Sequence, residues 1–232
     1  MELKYNENLS ITNEQGEQVD VKMLRVKLDN LSELVKEIII NISDLSWINN
    51  FSNEALRIGF IERSKPTIEK ITRKLEKNIE DPKINEIGEI VISNVARLIV
   101  ESTYDYYVLP LAELIKEKIS NNPGFDYHFV NNNEIPIFGE AKYSAGDNAY
   151  GRALSQVVDF INEKKDRKEI PILKEFMTEP VIKNIIMENK GYSISFSATN
   201  IDNKKLFYNV MQNKDFKQLL KYKEILVVAV DV

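Results

Sequence analysis

The sequence contains no cysteine and only one histidine among its 232 residues. Without cysteine the chain cannot form disulfides, use a cysteine nucleophile or hold zinc through thiolates. A single histidine, His128, excludes a metal site built from two histidines, and we interpret it as a structural or incidental residue. Any metal must therefore be bound through oxygen ligands.

Long apolar runs are also missing. No stretch approaches the roughly 18 consecutive apolar residues of a membrane-spanning helix, and the first residues lack a signal-peptide pattern. We therefore expect a soluble, cytoplasmic protein without membrane contact. The segment from Gly146 to Gly151 has the glycine spacing of a phosphate-binding loop but lacks its lysine and hydroxyl residue, so any ATPase activity must come from a partner.

Positive charge is in slight deficit, with a net charge of −5 and a pI near 5.2. This balance argues against a protein that binds nucleic acid through a broad basic surface. Two local basic clusters are interpreted as solvated faces rather than specific contacts. They comprise Lys164, Lys165, Arg167 and Lys168, and then Lys214, Lys217, Lys221 and Lys223.

With 43% hydrophobic residues, the chain is long enough for one domain with a substantial core. We predict an N-terminal elaboration at 1–82, packed on a core domain at 83–232. In the elaboration, residues 1–16 are polar and aperiodic. The expected elements are a strand over Gln18–Leu28, a helix over Leu31–Ile42, a strand within Trp47–Ile61 and a helix opened by Ser64–Pro66.

The core domain alternates helical and strand patterns, which predicts an α/β fold with a mixed sheet. Its final apolar run, Ile225–Val230, is typical of a strand covered on both faces. The expected helices are one from about Asn85, then Leu109–Ser120, Ala149–Lys164, Pro180–Asn189 and Leu206–Tyr222, and a further strand is expected over Tyr192–Ala198.

A β-hairpin is predicted from Phe125–Val130 and Ile135–Tyr143. Apolar residues alternate with polar ones in both runs, and a three-residue loop, Asn131–Asn133, places both apolar sets on one face. Phe125 belongs to that predicted apolar face.

The polar face of this hairpin carries two carboxylates and a lysine. In the predicted register Asp126 lies opposite Phe138 and diagonal to Glu140, with Lys142 two residues further along the same face. Hard oxygen ligands on adjacent strands can hold Mg²⁺, and a lysine beside them can position a water molecule or offset developing negative charge. These residues suggest a metal-dependent phosphodiesterase site, and an ordinary hairpin with a solvated polar face is the alternative.

Asp126, followed after thirteen residues by Glu140-Ala141-Lys142, resembles the motif of the PD-(D/E)xK nuclease superfamily. The resemblance implies a restriction-endonuclease-like core, in which a mixed central sheet is flanked by helices, here with an N-terminal α+β elaboration. It also implies that the Ala141 carbonyl joins the two carboxylates in binding Mg²⁺ or Mn²⁺. Lys142 would then organise the attacking water.

The helices on either side of the motif supply further candidates through the same resemblance. Glu89 on the preceding helix would complete the metal site, with Glu86 one turn earlier as a rival. Gln156 on the following helix, together with Arg152, would support the site or contact a phosphate.

More narrowly, the order Ile-Gly-Glu, Pro-Gly-Phe-Asp and Phe-Gly-Glu-Ala-Lys-Tyr is similar to the HamA family, the nuclease effectors of Hachiman antiphage defence. That similarity spans roughly residues 85–161 and implies a DNA nuclease held in check by a helicase partner. The alternative is a non-catalytic nucleic-acid-binding or scaffold subunit of a defence or repair complex.

Overall fold

A computed structural model describes residues 1–77, 85–116, 124–199 and 201–231. It has a mixed α/β architecture in which one seven-stranded sheet is flanked by helices, so the predicted α/β class is confirmed. The strands are β1 (Glu2–Thr12), β2 (Gln18–Lys27), β3 (Tyr107–Val108), β4 (Tyr127–Val130), β5 (Pro136–Lys142), β6 (Gly191–Ala198) and β7 (Glu224–Asp231).

The described helices fall into two groups along the chain. The first comprises α1 (Leu31–Ser43), α2 (Glu54–Lys77), α3 (Asn85–Tyr104) and α4 (Ala112–Ile115). The second comprises α5 (Tyr150–Asn162), α6 (Lys165–Lys168), α7 (Ile170–Leu173), α8 (Glu179–Ile186), α9 (Asn203–Gln212) and α10 (Lys214–Leu219). Among these residues no helix is both long enough and apolar enough to cross a membrane.

Strand order across the sheet is β1-β2-β7-β6-β5-β4-β3. The four central strands β2, β7, β6 and β5 run parallel, while β1 and β4 run antiparallel to their neighbours. The carboxyl ends of four strands therefore meet at one edge of the sheet. Because β2 pairs directly with β7, the segment predicted as an N-terminal elaboration shares this sheet with the rest of the chain.

Each face of the sheet carries its own hydrophobic core. Helices α1 to α4 contribute to one core, and α5 with α7 to α10 contribute to the other. In β7, Leu226 and Val228 face the first core, and Ile225 and Val227 face the second. The prediction of a strand buried on both faces is thus confirmed.

The N-terminal region differs from the prediction in two places. No element was predicted within residues 1–16, yet Glu2–Thr12 forms edge strand β1 against β2. Trp47–Ile61 holds no strand: Ser46–Asn50 is a 3₁₀ turn, and α2 begins at Glu54.

Helix α2 begins one residue after Asn53, whose side chain accepts hydrogen bonds from the N–H groups of Ala55 and Leu56. Pro66 therefore lies inside the helix instead of opening it. Burial of the helix's apolar face, which includes Phe60 and Ile71, accounts for its continuing past the proline.

Two helices of the core domain also differ from prediction. Of the predicted helix over 109–120, the described part is helical only at Ala112–Ile115, and 117–120 lie outside the described residues. The predicted helix over 206–222 is two helices, α9 and α10. Asn213 separates them in an extended conformation and caps α10 by accepting from the Asp215 N–H.

The predicted hairpin exists, but its register is shifted. His128, not Asp126, lies opposite Phe138, and Tyr127 lies opposite Gly139. The shift arises because Asn131 bonds to Ile135 across the turn, so the loop is 132–134 and not Asn131–Asn133.

The side chain of Asn131 organises that loop. It accepts from the N–H groups of Asn133 and Ile135 at 2.9 Å each, and Glu134 takes the left-handed conformation with φ of 58°. The numbers of paired residues sum to an even value, as they do in the predicted register, so the shift does not exchange the two faces of the paired strands. Tyr127 therefore shares the first core with Ile137, as the alternation predicts. Phe125, however, packs in the second core, because the backbone leaves the sheet before Tyr127.

Candidate functional site

The site lies at the carboxyl end of β5, beyond the point where β4 begins at Tyr127. There the Asp126 carboxylate takes the hydrogen-bonding position that a neighbouring strand would otherwise fill. Its Oδ2 accepts from the Ala141 N–H at 2.8 Å, and its own N–H donates to the Gly139 carbonyl at 2.8 Å. These two bonds fix Asp126 against β5.

Lys142 joins two further carboxylates. Its Nζ lies 2.6 Å from Oε1 of Glu140 and 3.3 Å from Oε1 of Glu89. Glu140 is almost fully buried at 1% exposure, whereas the Glu89 side chain is about half exposed. The structure thus brings Glu89, Asp126, Glu140 and Lys142 together from α3, the start of β4 and the end of β5.

A glycine lets α3 approach β5 closely enough for this arrangement. A Cβ placed on Gly88 would lie 2.2 Å from Cγ of the Tyr143 ring, a separation that real atoms do not reach. The helix can pack directly on the tyrosine only because residue 88 has no side chain. Glu89, the next residue, is thereby carried to the ammonium of Lys142.

Burial and mutual repulsion shift the protonation of the site. Burial and the charge of Glu113 raise the pKa of Asp126 from 3.8 to about 7. Burial, and then the charge of Asp126, raise the pKa of Glu140 well above its usual value. Burial alone would lower the pKa of Lys142, but Glu140 and Glu89 raise it, so the lysine stays charged. The positive charge of Lys142 therefore offsets the negative charge of the neighbouring carboxyl groups of Glu140 and Glu89.

Sequence reasoning missed one acidic neighbour of this site, Glu113. It belongs to α4, whose first residue, Ala112, donates its N–H to the Asp126 carbonyl at 3.2 Å. Oε2 of Glu113 and Oε2 of Glu140 are buried and have no hydrogen-bond partner among the described residues. Glu113 fell within a segment predicted to be an ordinary helix, and no motif marks it.

The donor set fits a hard divalent cation in its chemistry. Glu140 offers a buried oxygen without a partner, and Asp126, Glu89 and the main-chain carbonyl of Ala141 offer further oxygens. In the described ranges no three histidine or acidic side chains lie close enough together to hold an ion. A cation bound at Glu140 would take over part of the charge compensation that Lys142 provides.

The remaining predicted residues have different positions. The Arg152 guanidinium donates to the Tyr143 carbonyl at 2.8 Å, at the point where the chain leaves β5. Gln156 is half-buried on α5, and within the described residues its side chain makes no hydrogen bond to the carboxylates, so its supporting role stays a prediction. The side chain of Glu86, the rival of Glu89, lies outside the described part.

His128 does not line a cleft. It is completely buried, and its Nε2 lies 2.7 Å from Oε2 of Glu169. Burial and the charge of Lys116 lower its pKa, so the imidazole is neutral.

The two basic clusters lie mostly away from the site. Lys223 directly precedes β7, and its N–H donates to the carbonyl of Lys190, which pairs with Asp166 beside the first cluster. These residues are at the strand starts, opposite the carboxyl ends. Exposed Lys214 is the exception, because its neighbour Asn213 lies near the first turn of α5.

Comparison of the chain with family models, with curated proteins and with solved structures gave no match.

Proposed function

We propose that the chain is a Mg²⁺- or Mn²⁺-dependent nuclease that hydrolyses phosphodiester bonds in DNA. The observation that carries the proposal is the grouping of Glu89, Asp126, Glu140 and Lys142 at one strand end. Two carboxylates paired with one lysine, beside the buried carboxyl of Asp126, with the pKa values of Asp126 and Glu140 raised, are typical of functional sites rather than of stabilising surface ion pairs.

The order of elements supports the same proposal. Helix α3 is followed by the antiparallel strands β3, β4 and β5, with the short helix α4 between β3 and β4, then by helices α5 to α8, and then by β6 parallel to β5. With the shorter helices α4 and α6 to α8 set aside, this order resembles that of the PD-(D/E)xK nuclease core, in which the Asp and Glu-x-Lys positions come from a meander of antiparallel strands. Asp126, directly before β4, and Glu140, in β5, would take those positions.

Asp126, Glu140, the Ala141 carbonyl and Glu89 would hold the metal ion after side-chain movements that bring the three carboxylates within reach of one ion. When bound, such an ion polarises a phosphoryl oxygen and lowers the pKa of a coordinated water. The carboxylates must be ionised for this, and the bound positive charge would reverse the rise in their pKa.

Lys142 has the chemical task of handling charge at the phosphate. Its ammonium would orient the attacking water through one N–H and would offset the negative charge that builds on the phosphoryl oxygens. In the reaction the water oxygen bonds to phosphorus as one phosphorus–ester oxygen bond breaks; the water gives up one proton and the departing oxygen takes one up, which leaves a phosphomonoester and a hydroxyl group. Arg152, exposed near the same strand end, would contact a flanking phosphate, and Gln156 would support the site from α5.

The charge distribution bears on substrate and partner. The net charge of −5, and the position of most clustered lysines away from the site, predict weak unaided affinity for DNA. This weak affinity, together with the similarity of residues 85–161 to the HamA family, leads us to propose that the chain is the effector subunit of an antiphage defence complex, in which a helicase partner delivers DNA and supplies ATP hydrolysis.

Cleavage of supercoiled and linear DNA by the purified chain tests this function. We expect cleavage with Mg²⁺ or Mn²⁺ and none with EDTA, and Glu140→Gln should remove it while circular dichroism shows an intact fold. If the wild type is inert alone, the assay is repeated with a candidate helicase partner. Equal cleavage by Glu140→Gln, or no cleavage in either format, would favour the alternative of a non-catalytic subunit.

A further inference from the structure

The residue directly before Asp126 is held by charged side chains on both its main-chain groups. The N–H of Phe125 donates to Oε1 of Glu169 at 3.1 Å, and its carbonyl accepts from Nζ of Lys116 at 2.6 Å. Lys116 and Glu169 are themselves paired at 2.5 Å. The Lys116–Glu169 ion pair therefore binds both the N–H and the carbonyl of Phe125.

The same carboxylate also reaches the other side of Asp126. Oε2 of Glu169 lies 2.7 Å from Nε2 of His128, and because a carboxylate only accepts hydrogen bonds, Nε2 must donate. Glu169, from the junction of α6 and α7, is 8% exposed, and His128 is completely buried. The two carboxylate oxygens of Glu169 thus hold residues 125 and 128.

A glycine shows how closely the chain is fitted to this carboxylate. A Cβ on Gly124 would lie only 2.3 Å from Oε1 of Glu169. The backbone at position 124 passes so close to the Glu169 carboxylate that, in this arrangement, no residue with a side chain fits there. Segment 124–128 is therefore shaped around Glu169, with Asp126 in the middle.

We infer that Lys116, Glu169 and His128 are positioning residues for Asp126: they fix the backbone on both sides of it and so direct its carboxylate towards β5 and Glu140. The inference rests on the proposed function, because its measurable consequence is the affinity for a divalent cation. Partners that orient a metal ligand without touching the metal typically contribute about 10- to 100-fold to metal affinity.

Glu169→Gln tests this role, because it removes the charge and keeps the shape. Asp166→Asn is the matched control: Asp166 is also a buried carboxylate of this region, paired with Lys190, but among the described residues no hydrogen bond or ion pair joins it to segment 124–128. The probe is Mn²⁺, titrated into the full chain and followed by electron paramagnetic resonance of the free ion. We expect Glu169→Gln to weaken Mn²⁺ binding about 10-fold or more and Asp166→Asn to change it by less than about twofold.

Equal Mn²⁺ affinity in Glu169→Gln and wild type would overturn the inference, as would an equal loss in Asp166→Asn. If Glu169→Gln does not fold, Lys116→Arg takes its place, since it keeps the ion pair but moves the donor to Phe125. Positioning then predicts weaker Mn²⁺ binding at unchanged stability, and unchanged binding would refute it. A wild type that binds no Mn²⁺ and cuts no DNA would instead count against the proposed function itself.

Discussion

Replacing Asp126 with asparagine should make the protein more stable. The asparagine oxygen can still accept from the Ala141 N–H, but the buried charge is gone. A rise in pKa from 3.8 to about 7 corresponds to about 4 kcal/mol, at roughly 1.4 kcal/mol per pKa unit. The wild type loses this free energy on folding when its carboxyl must ionise, and Asp126→Asn should recover it.

The recovered free energy depends on pH with a definite sign. Well below pH 3.8 the carboxyl of Asp126 is protonated in both states, so the substitution changes little. As pH rises from 3.8 to about 7, the unfolded state loses its proton first, and the wild type is progressively destabilised. The gain from Asp126→Asn should therefore be about 2 kcal/mol at pH 5 and about 4 kcal/mol at pH 8.

Urea unfolding followed by far-ultraviolet circular dichroism, in EDTA at both pH values, measures this difference. Asp159→Asn is the control, because it removes an exposed carboxylate from α5 and should leave stability within about 0.5 kcal/mol. The reasoning is refuted if Asp126→Asn is no more stable than wild type at pH 8, or if its gain is the same at pH 5.

Two further predictions concern the same strand end. Saturating Mn²⁺ should raise the melting temperature of the wild type in differential scanning calorimetry, whereas Glu140→Gln should show little rise; equal rises would argue against a cation at Glu140. Gly88→Ala should lower the free energy of unfolding by about 1–3 kcal/mol, because its Cβ would lie 2.2 Å from the Tyr143 ring. Gly59→Ala is the control, because nothing lies within 4 Å of the new Cβ in its helix, and it should raise the free energy of unfolding by up to about 1 kcal/mol. A higher free energy of unfolding in both variants, measured by urea unfolding, would contradict the close packing of α3 on β5.

Except for Phe125, alternation of side chains predicted which apolar hairpin residues share a face, but it did not predict where the turn lies. Burying Tyr127 and Ile137 on one face requires that the numbers of paired residues sum to an even value. A turn at 131–133 and a turn at 132–134 both meet this requirement. The choice is made by the Asn131 side chain, which accepts two main-chain N–H groups across the loop. Such a side-chain bond leaves no periodic trace in the sequence.

The two errors in the N-terminal elements have different causes. Strand β1 lies at the sheet edge, and none of its side chains is fully buried. Half-buried positions alternate with exposed ones from Tyr5 onwards, but Glu7 is polar and interrupts the apolar set of Tyr5, Leu9 and Ile11, so the alternation is weak in the sequence. Pro66 is a strong local signal for a helix start, and tertiary packing overrides it inside α2.

The central part of the site was predictable because its residues are close in sequence. Glu140 and Lys142 are two residues apart on one strand, and Asp126 precedes the adjoining strand. The groups around them were not predictable, since Glu169 is 44 residues from Phe125, which it holds. Glu113 likewise reaches the site only through the packing of α4 beside Asp126.

The most direct test of the account is cleavage of DNA by Lys142→Met, measured together with Mn²⁺ binding by the same protein. In the structure the lysine's ammonium occupies one oxygen of Glu140. Its removal should therefore leave Mn²⁺ affinity equal or higher, while the rate of cleavage falls by about 100-fold or more. Cleavage at the wild-type rate by a variant that still binds Mn²⁺ would contradict the assignment of this site as a nuclease centre.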